Sequence, residues 1–236
     1  MPFASPPPAL RLATMHDAVI VPTPREWPMG PVVGGVSDAD GRVAPDTLLY
    51  RNFSQVVFAP PPPPAPPETI NDPHIYAGFC IDHFGHFLLE GLSRAWASAE
   101  RADLPLVWAT PGGPKSWQKA ICDLLGFGDR MRFVDRPTRF RTLLVPDPGY
   151  RIRDYMHPDH ARFLGRFAPD ADAAPDVGLG PRLWLSRRGL APAGRIGGED
   201  ALEAALERLG WQVARPEALD VTAQLSLLAR ASAVGG

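Results

Sequence analysis

Short strand-like segments alternate with helix-like segments from Ile75 to the end of the chain, and this alternation is the strongest constraint on the fold. Apolar runs such as "IYAGFCI" and "LPLVWAT" are typical of buried strands, whereas "SWQKAICDLLGFG" and "GEDALEAALERLG" carry apolar residues at helical spacing. A helix between two strands lets the chain return and run in the same direction. The alternation therefore predicts an α/β protein with a largely parallel sheet.

The segment from Met1 to Pro67 has a different character, because it is rich in proline and in short β-type runs. The runs "DAVIVP" and "TLLYRNFSQVVFAP" predict strands, and "VVGGVSDADGRVAPD" between them predicts a hairpin or a loop. Residues 59–68, "APPPPPAPPE", are too rich in proline to join a sheet or a helix, which indicates extended polyproline II structure. We expect a stiff surface loop here, with a ligand for a proline-reading domain as the alternative.

A second domain is predicted after residues 170–181, "DADAAPDVGLGP", which have no periodicity and resemble a linker. This divides the chain into an N-terminal α/β domain, residues 1–169, and a C-terminal part, residues 182–236. In the latter, strand-like "PRLWLSRRG" and "WQVARPE" alternate with two helices, and "SAVGG" begins another strand. Two βα units cannot cover both faces of a sheet, so we expect this second domain to be incomplete.

Composition excludes several classes of protein. The formal net charge is -2 and no basic tail or patch stands out, which argues against nucleic-acid binding. Cys80 and Cys122 are far apart and form no CxxC pair, so we expect buried reduced thiols. The N-terminus lacks the features of a signal peptide, and no apolar run approaches the ~20 residues of a membrane helix. These features indicate a cytoplasmic protein and leave open whether it associates with the inner face of the plasma membrane.

The stretch "GFCIDHFGHFLLEGLSRAWA" predicts a helix from about Phe84 to Arg101 with an unusual polar stripe. At 100° per residue, Glu90 lies about 40° from His86, and Arg94 about 80°. His83, if helical, lies about 60° from His86. The opposite half is apolar, with Phe84, Leu88, Leu92, Ala95 and Trp96. The spacing predicts ion pairs from His86 to Glu90 and from Glu90 to Arg94.

Three interpretations of this stripe compete. It could be a solvated helix face with internal ion pairs. It could belong to a metal site, in which His157 and His160 would complete a set begun by His83 and His86. It could also be an active-site stripe, with an imidazole or carboxylate as general base and an arginine holding an anion. The residues alone do not decide between the first and the third interpretation.

A second candidate site lies at the end of the strand "LWLSRRG", where Ser186, Arg187 and Arg188 follow one another. Ligands of open α/β sheets bind outside the carboxyl ends of the strands, and guanidinium groups match phosphate oxygens. Arg195 and the start of a helix at Glu199 follow, and helix N-termini also favour anions. The pattern predicts a diphosphate site, with a solvated basic turn as the alternative.

Together these motifs resemble glycosyltransferase family 61, whose bacterial members are often described as capsular polysaccharide biosynthesis proteins. "GHFLLEGLSR" resembles the family's helix with a histidine between aromatic residues, then an acidic residue and an arginine. Ser186 and Arg187 match a strand that ends in Ser-Arg. Arg195 and Glu199 match an arginine and the Asn-Glu pair that opens a helix, although Gly198 stands at the asparagine position.

The resemblance extends from about Ile75 to Gly236. The segment from Gly210 to Glu217 matches a further family motif, and Ala233, Val234 and Gly235 match the beginning of the last one, a His-Gly-Ala loop. The family's His-Gly-Ala residues and the rest of its C-terminal domain are missing from this sequence, which is why we expect a truncated domain.

The resemblance implies a GT-B-like fold of two Rossmann-like domains that face each other across a cleft. It implies inverting transfer of a sugar from a nucleotide sugar to a glycan hydroxyl, without a metal or other cofactor. His86, Glu90 and Arg94 would be catalytic, with His86 or Glu90 as the base. Ser186, Arg187, Arg195, Glu199 and Gly235 would bind the donor, and His83 would be a local capping or packing residue. The alternatives are an inactive remnant, a carbohydrate- or protein-binding module, or a metallohydrolase with a histidine site.

Overall fold

The computed structural model describes residues 9–26, 31–51, 54–63, 68–168, 180–189 and 197–236. The chain forms two compact units, Met1–Arg166 and Phe167–Gly236. Arg195 and residues 170–179 of the predicted linker lie outside the described residues, as do residues 64–67 of the proline-rich run. Among the helices in the described ranges, none has the length and apolar character needed to cross a membrane.

The first unit contains both strands and helices. Its strands are β1 Leu12–Val21, β2 Val32–Val33, β3 Gly35–Ser37, β4 Tyr50–Arg51, β5 Ser54–Gln55, β6 Val57–Phe58, β7 Glu68–Ile70, β8 His74–Gly78, β9 Leu106–Trp108, β10 Met131–Phe133, β11 Thr138–Pro146, β12 Tyr150–Arg151 and β13 Tyr155–Met156. Its helices are α1 Phe84–His86, a π-helix Phe87–Gly91, α2 Ala97–Glu100, α3 Ser116–Leu124 and α4 Pro158–Gly165, with 3-10 turns at Pro45–Thr47 and Gly128–Arg130.

A seven-stranded mixed sheet organises the described part of this unit, in the order β10-β9-β8-β11-β1-β3, with β7 also pairing with β11. The strands β10, β9, β8, β11 and β7 pair in parallel, whereas β1 runs antiparallel to both β11 and β3. The core on this sheet includes Ile20, Tyr76, Val107, Phe140 and Leu143, all of which are buried. The predicted α/β class is confirmed, and the antiparallel strands come from the N-terminal segment.

The N-terminal segment is less regular than its composition suggests. The predicted strand "TLLYRNFSQVVFAP" instead contains three two-residue strands, β4, β5 and β6. The segment predicted as a hairpin or loop contributes β2 and β3, and β3 joins the main sheet through β1. The described residues 59–63 of the proline-rich run have no regular secondary structure, but Glu68 at its end begins β7. A glutamate that follows the last proline has a backbone N–H and can join a sheet.

The predicted continuous helix from Phe84 to Arg101 is wrong. The backbone N–H of Leu92 donates to the carbonyl of Phe87 at 3.0 Å, which is the i→i+5 bond of a π-helix. The Ser93 hydroxyl donates to the carbonyl of Glu90 at 2.8 Å, a bond that competes with the helical pattern. Turns then connect the π-helix to α2. The 100° wheel therefore fails beyond His86, and residues 90–98 are all buried.

The second unit is a small α/β structure. Its described elements are strands β14 Arg182–Leu185, β15 Gln212–Ala214 and β16 Ala233–Gly235, helices α5 Glu199–Arg208 and α6 Val221–Arg230, and a 3-10 turn Pro216–Ala218. The strands are parallel in the order β15-β14-β16, and Leu183, Ala214 and Leu227 form the buried core. Asp220 caps α6, since its carboxylate accepts from the N–H of Ala223 at 2.8 Å. Gly210 has a φ of 81° just after α5, as a helix-terminating glycine does.

Candidate active site

Glu90 lies in the π-helix and is buried, with 2% of its side chain exposed. Arg51 on β4 forms a bidentate ion pair with this carboxylate: Nε donates to Oε1 at 2.7 Å and Nη2 donates to Oε2 at 2.7 Å. Such a bidentate pair fixes the plane of the carboxylate as well as its position. The predicted ion pair between Glu90 and Arg94 is therefore wrong, because the π turn directs the carboxylate toward another element.

The predicted contact between His86 and Glu90 is confirmed. The His86 Nδ1 atom lies 2.8 Å from Glu90 Oε2, and 32% of the histidine side chain is exposed. Nδ1 is buried, and Glu90 is the carboxylate that it contacts. Burial, followed by the positive charge of Arg51, lowers the pKa of His86 below its ordinary value. The imidazole is therefore neutral near pH 7, with one nitrogen beside a carboxylate and part of its ring open to solvent.

Arg94 is buried against the backbone. Its guanidinium donates to the carbonyls of Pro146 and Asp46, and its Cζ lies 5.3 Å from the centre of the Tyr76 ring. Burial lowers the pKa of Arg94 below its ordinary value. Because Glu90 and Arg94 are both buried, the interpretation of the stripe as a solvated helix face is wrong. Arg94 as the group that holds an anion stays a prediction.

The other histidines of the candidate metal set, His83, His157 and His160, are explained by local contacts and burial. The His83 ring accepts from the backbone N–H of His86 at 3.5 Å, which confirms His83 as a capping residue. His157 caps α4 in the same way, accepting from the N–H of Asp159 at 3.1 Å. His160 is buried, which lowers its pKa to about 4. Within the described ranges no three His, Cys, Asp or Glu side chains are grouped so as to hold a metal ion.

A narrow cleft of about 20 Å³ lies beside Glu90, with room for about one water molecule. Tyr50 and Tyr150 line it, and burial and the charge of Glu90 raise the pKa of Tyr150. The guanidinium of Arg151 lies 5.4 Å from the centre of the Tyr50 ring. Sequence reasoning missed these residues and Arg51. The sequence feature that could have indicated Arg51 is its place as an arginine inside a run of apolar and aromatic residues, "TLLYRNF".

The two cysteines are free and buried, as the sequence predicts. Burial raises the pKa of Cys80 to about 12 and also raises that of Cys122. Neither thiol is therefore a ready nucleophile near neutral pH.

In the second unit, several predicted donor-binding residues lie together at the carboxyl end of β14. The buried Glu199 carboxylate accepts from the backbone N–H of Arg187 at 2.8 Å, which joins this strand end to the first turn of α5. Ser186 is buried, and its Oγ accepts from the N–H of Arg188 at 3.3 Å. The Arg187 side chain is exposed.

Gly235 lies beside β14, and Glu203 binds Arg188 just after that strand. Gly235 lies in β16 beside Trp184, and a Cβ placed on it would meet Trp184 Cε3 at 3.0 Å. Sequence reasoning missed Glu203, a buried carboxylate that accepts from Arg188 Nη1 at 3.1 Å. Since Glu203 lies one helical turn after Glu199, the two carboxylates share one face of α5. Binding of a donor by these residues stays a prediction.

The chain is a glycosyltransferase and belongs to glycosyltransferase family 61, whose family model matches residues 84–236. The match begins at α1 and covers the whole of the described second unit, whereas Arg51 and the other residues before Phe84 lie outside it. Searches of curated proteins and of solved structures each found no match.

Proposed function

We propose that this glycosyltransferase moves a sugar from a nucleotide-sugar donor to a hydroxyl of a glycan acceptor, with inversion, in the assembly of a bacterial surface polysaccharide. His86 is the general base and Glu90 orients it. The observation that carries this proposal is the 2.8 Å contact between His86 Nδ1 and the buried Glu90 carboxylate, on a ring that is partly exposed. Membership of family 61 supports the reaction class.

The two candidate bases differ in their surroundings. The Glu90 carboxylate is buried and already accepts two hydrogen bonds from Arg51, so it is poorly placed to take a proton from a substrate. His86 is neutral near pH 7 and has a second ring nitrogen, Nε2. A carboxylate beside Nδ1 favours the tautomer with the proton on Nδ1, which leaves the Nε2 lone pair free to act as a base.

The proposed step is a single displacement at the anomeric carbon. His86 Nε2 takes the proton from the acceptor hydroxyl as its oxygen attacks this carbon. The bond from the anomeric carbon to the diphosphate oxygen breaks, and the nucleoside diphosphate leaves with that electron pair. Attack from the side opposite the leaving group inverts the anomeric configuration. The Glu90 carboxylate stabilises the imidazolium that forms.

We assign donor binding to the second unit, through Ser186, Arg187, Arg195, Glu199 and Gly235. The exposed Arg187 side chain follows the carboxyl end of a parallel strand, where ligands of α/β sheets bind. Positive charge from arginine would stabilise the leaving diphosphate. We extend the proposal to a GT-B-like fold, and the three parallel strands with two helices in the second unit support a Rossmann-like arrangement there.

A panel of nucleotide sugars with glycan acceptors tests this function. We expect one donor to raise the melting temperature of the protein and to be consumed, with a product whose anomeric configuration, read by NMR, is opposite to that of the donor. Arg187→Ala should lower kcat/KM for the donor by about 10- to 100-fold, because a charge-assisted hydrogen bond contributes about 1.5–3 kcal/mol.

The matched control is Arg182→Ala, which removes an exposed arginine from the opposite end of the same strand. It should leave kcat/KM for the donor near the wild-type value. Retention of configuration would contradict the single displacement. Equal effects of the two arginine substitutions would contradict the donor site at the carboxyl end of β14.

A further inference from the structure

Arg51 binds Glu90, the carboxylate beside His86, from a part of the chain that the family model does not cover. It lies on β4, which forms a two-stranded hairpin with β5, and it precedes Glu90 by 39 residues. Its guanidinium nevertheless makes two 2.7 Å bonds to Glu90, the same carboxylate that contacts His86. Arg51, Glu90 and His86 thus form one connected set of side chains.

The buried Glu90 carboxylate requires a cation, because an ionised carboxylate in a buried site is costly unless it is paired and hydrogen-bonded. Arg94 does not meet this need, since it donates to the carbonyls of Pro146 and Asp46. His86 is neutral near pH 7 and supplies no full charge. Arg51 is the charged partner that the carboxylate contacts directly.

We propose that Arg51 is a positioning residue for the transfer reaction. Its bidentate hydrogen bonds hold the Glu90 carboxylate in the plane and position from which this carboxylate orients His86. This inference rests on the proposed role of His86 as the base. It places part of the catalytic arrangement on the N-terminal hairpin, outside residues 84–236, where the family match lies.

The geometry has an electrostatic consequence with a definite sign. The charges that act on His86 are Arg51 from β4 and Glu90 and His83 from its own segment. Arg51 and His83 lower the pKa of His86, whereas Glu90 raises it. Loss of Arg51 removes one lowering influence and leaves the carboxylate without its cation. His86 should then take up a proton at a higher pH than in the wild type.

Arg51→Met is the direct test, read first by NMR titration of the His86 ring and without any activity assay. We expect the apparent pKa of His86 to rise. With the donor that the nucleotide-sugar panel identifies, kcat should fall by about 10- to 100-fold, as for other residues that orient a reacting group. The KM for this donor should stay unchanged. The acid limb of the kcat profile should move to higher pH in the same variant.

Arg25→Met is a matched control. Arg25 binds Asp82 through Nε at 2.8 Å and Nη2 at 2.5 Å, and its side chain is 23% exposed, against 24% for Arg51. This control removes another bidentate ion pair of the same unit, whose carboxylate, Asp82, is 23% exposed and also binds Lys115. Arg25 is not among the groups that shift the pKa of His86. The substitution should lower the free energy of unfolding without moving the His86 titration.

Arg51→Lys separates charge from positioning and decides the case if Arg51→Met fails to fold. A lysine keeps the positive charge but cannot form the bidentate pair of hydrogen bonds. It should keep the pKa of His86 near the wild-type value and restore kcat only in part. Wild-type kcat in Arg51→Lys, or unchanged His86 titration and kcat in a folded Arg51→Met, would overturn the proposal. If the titration shifts but His86→Ala keeps full activity, the contact with Arg51 stands and the proposed base is wrong.

Discussion

Arg94→Met tests whether this arginine holds the first unit together. Its guanidinium donates to the carbonyl of Pro146, at the end of β11, and to the carbonyl of Asp46, in the 3-10 turn before β4. Arg94 thereby ties the π-helix segment to the central strand and to the segment that carries Arg51. A methionine keeps the apolar stem of the side chain but none of its donors.

The expected loss follows from these contacts. The buried carbonyl of Pro146, left without this donor, costs about 1–3 kcal/mol, whereas the carbonyl of the exposed Asp46 can bind water and costs less. The cation–π contact with Tyr76 adds about 1 kcal/mol. Removal of a buried charge recovers part of its desolvation cost. We therefore expect the free energy of unfolding to fall by about 2–4 kcal/mol.

Urea unfolding followed by tryptophan fluorescence measures this change, and the denaturant slope m should stay constant. Arg11→Met is the control, because Arg11 binds Asp147 beside the same loop but its side chain is 74% exposed. Its loss should change the urea midpoint little, since exposed ion pairs contribute little. A loss below about 1 kcal/mol in Arg94→Met would refute the structural role.

Three smaller predictions concern other parts of the chain. His160 has a pKa of about 4, whereas the unfolded chain binds that proton near 6.5. Stability should therefore fall by up to about 3 kcal/mol as the pH drops from 6.5 to 4, and urea midpoints of His160→Gln should depend less on pH. Asp220→Ala should cost about 1 kcal/mol through the lost cap of α6, and Asp220→Asn much less, as thermal melts would show. Gly91→Ala should cost about 1–3 kcal/mol in urea unfolding, because its Cβ would lie 2.8 Å from Phe87 Cδ2.

Local sequence signals were sufficient for much of the fold. The helices α5 and α6 have clear apolar spacing, and their boundaries carry residue types typical of helix ends, Gly210 just after α5 and Asp220 as the cap of α6. The strands β14, β15 and β16 are short apolar runs between these helices. In such segments the residues that determine the structure are neighbours in the sequence, so pattern and capping are enough to predict it.

The sequence predicts the contact between His86 and Glu90 but not the surroundings of these two residues. His86 and Glu90 are four residues apart, and their contact follows from local geometry. The π-helix could not be foreseen, because periodicity assumes 3.6 residues per turn. Burial of the stripe and the bond from Arg51 depend on contacts between distant segments. A polar stripe has the same sequence pattern whether it faces solvent or an arginine from another hairpin.

The most direct measurement is kcat for glycosyl transfer in His86→Ala, with His83→Asn as its control. An asparagine can still accept the cap hydrogen bond but has no imidazole, so His83→Asn should keep kcat within a few-fold of the wild type. His86→Ala should lower kcat by about 10²- to 10⁴-fold, the usual contribution of a general base, while the protein remains folded. Wild-type kcat in a folded His86→Ala would contradict His86 as the base of this glycosyltransferase.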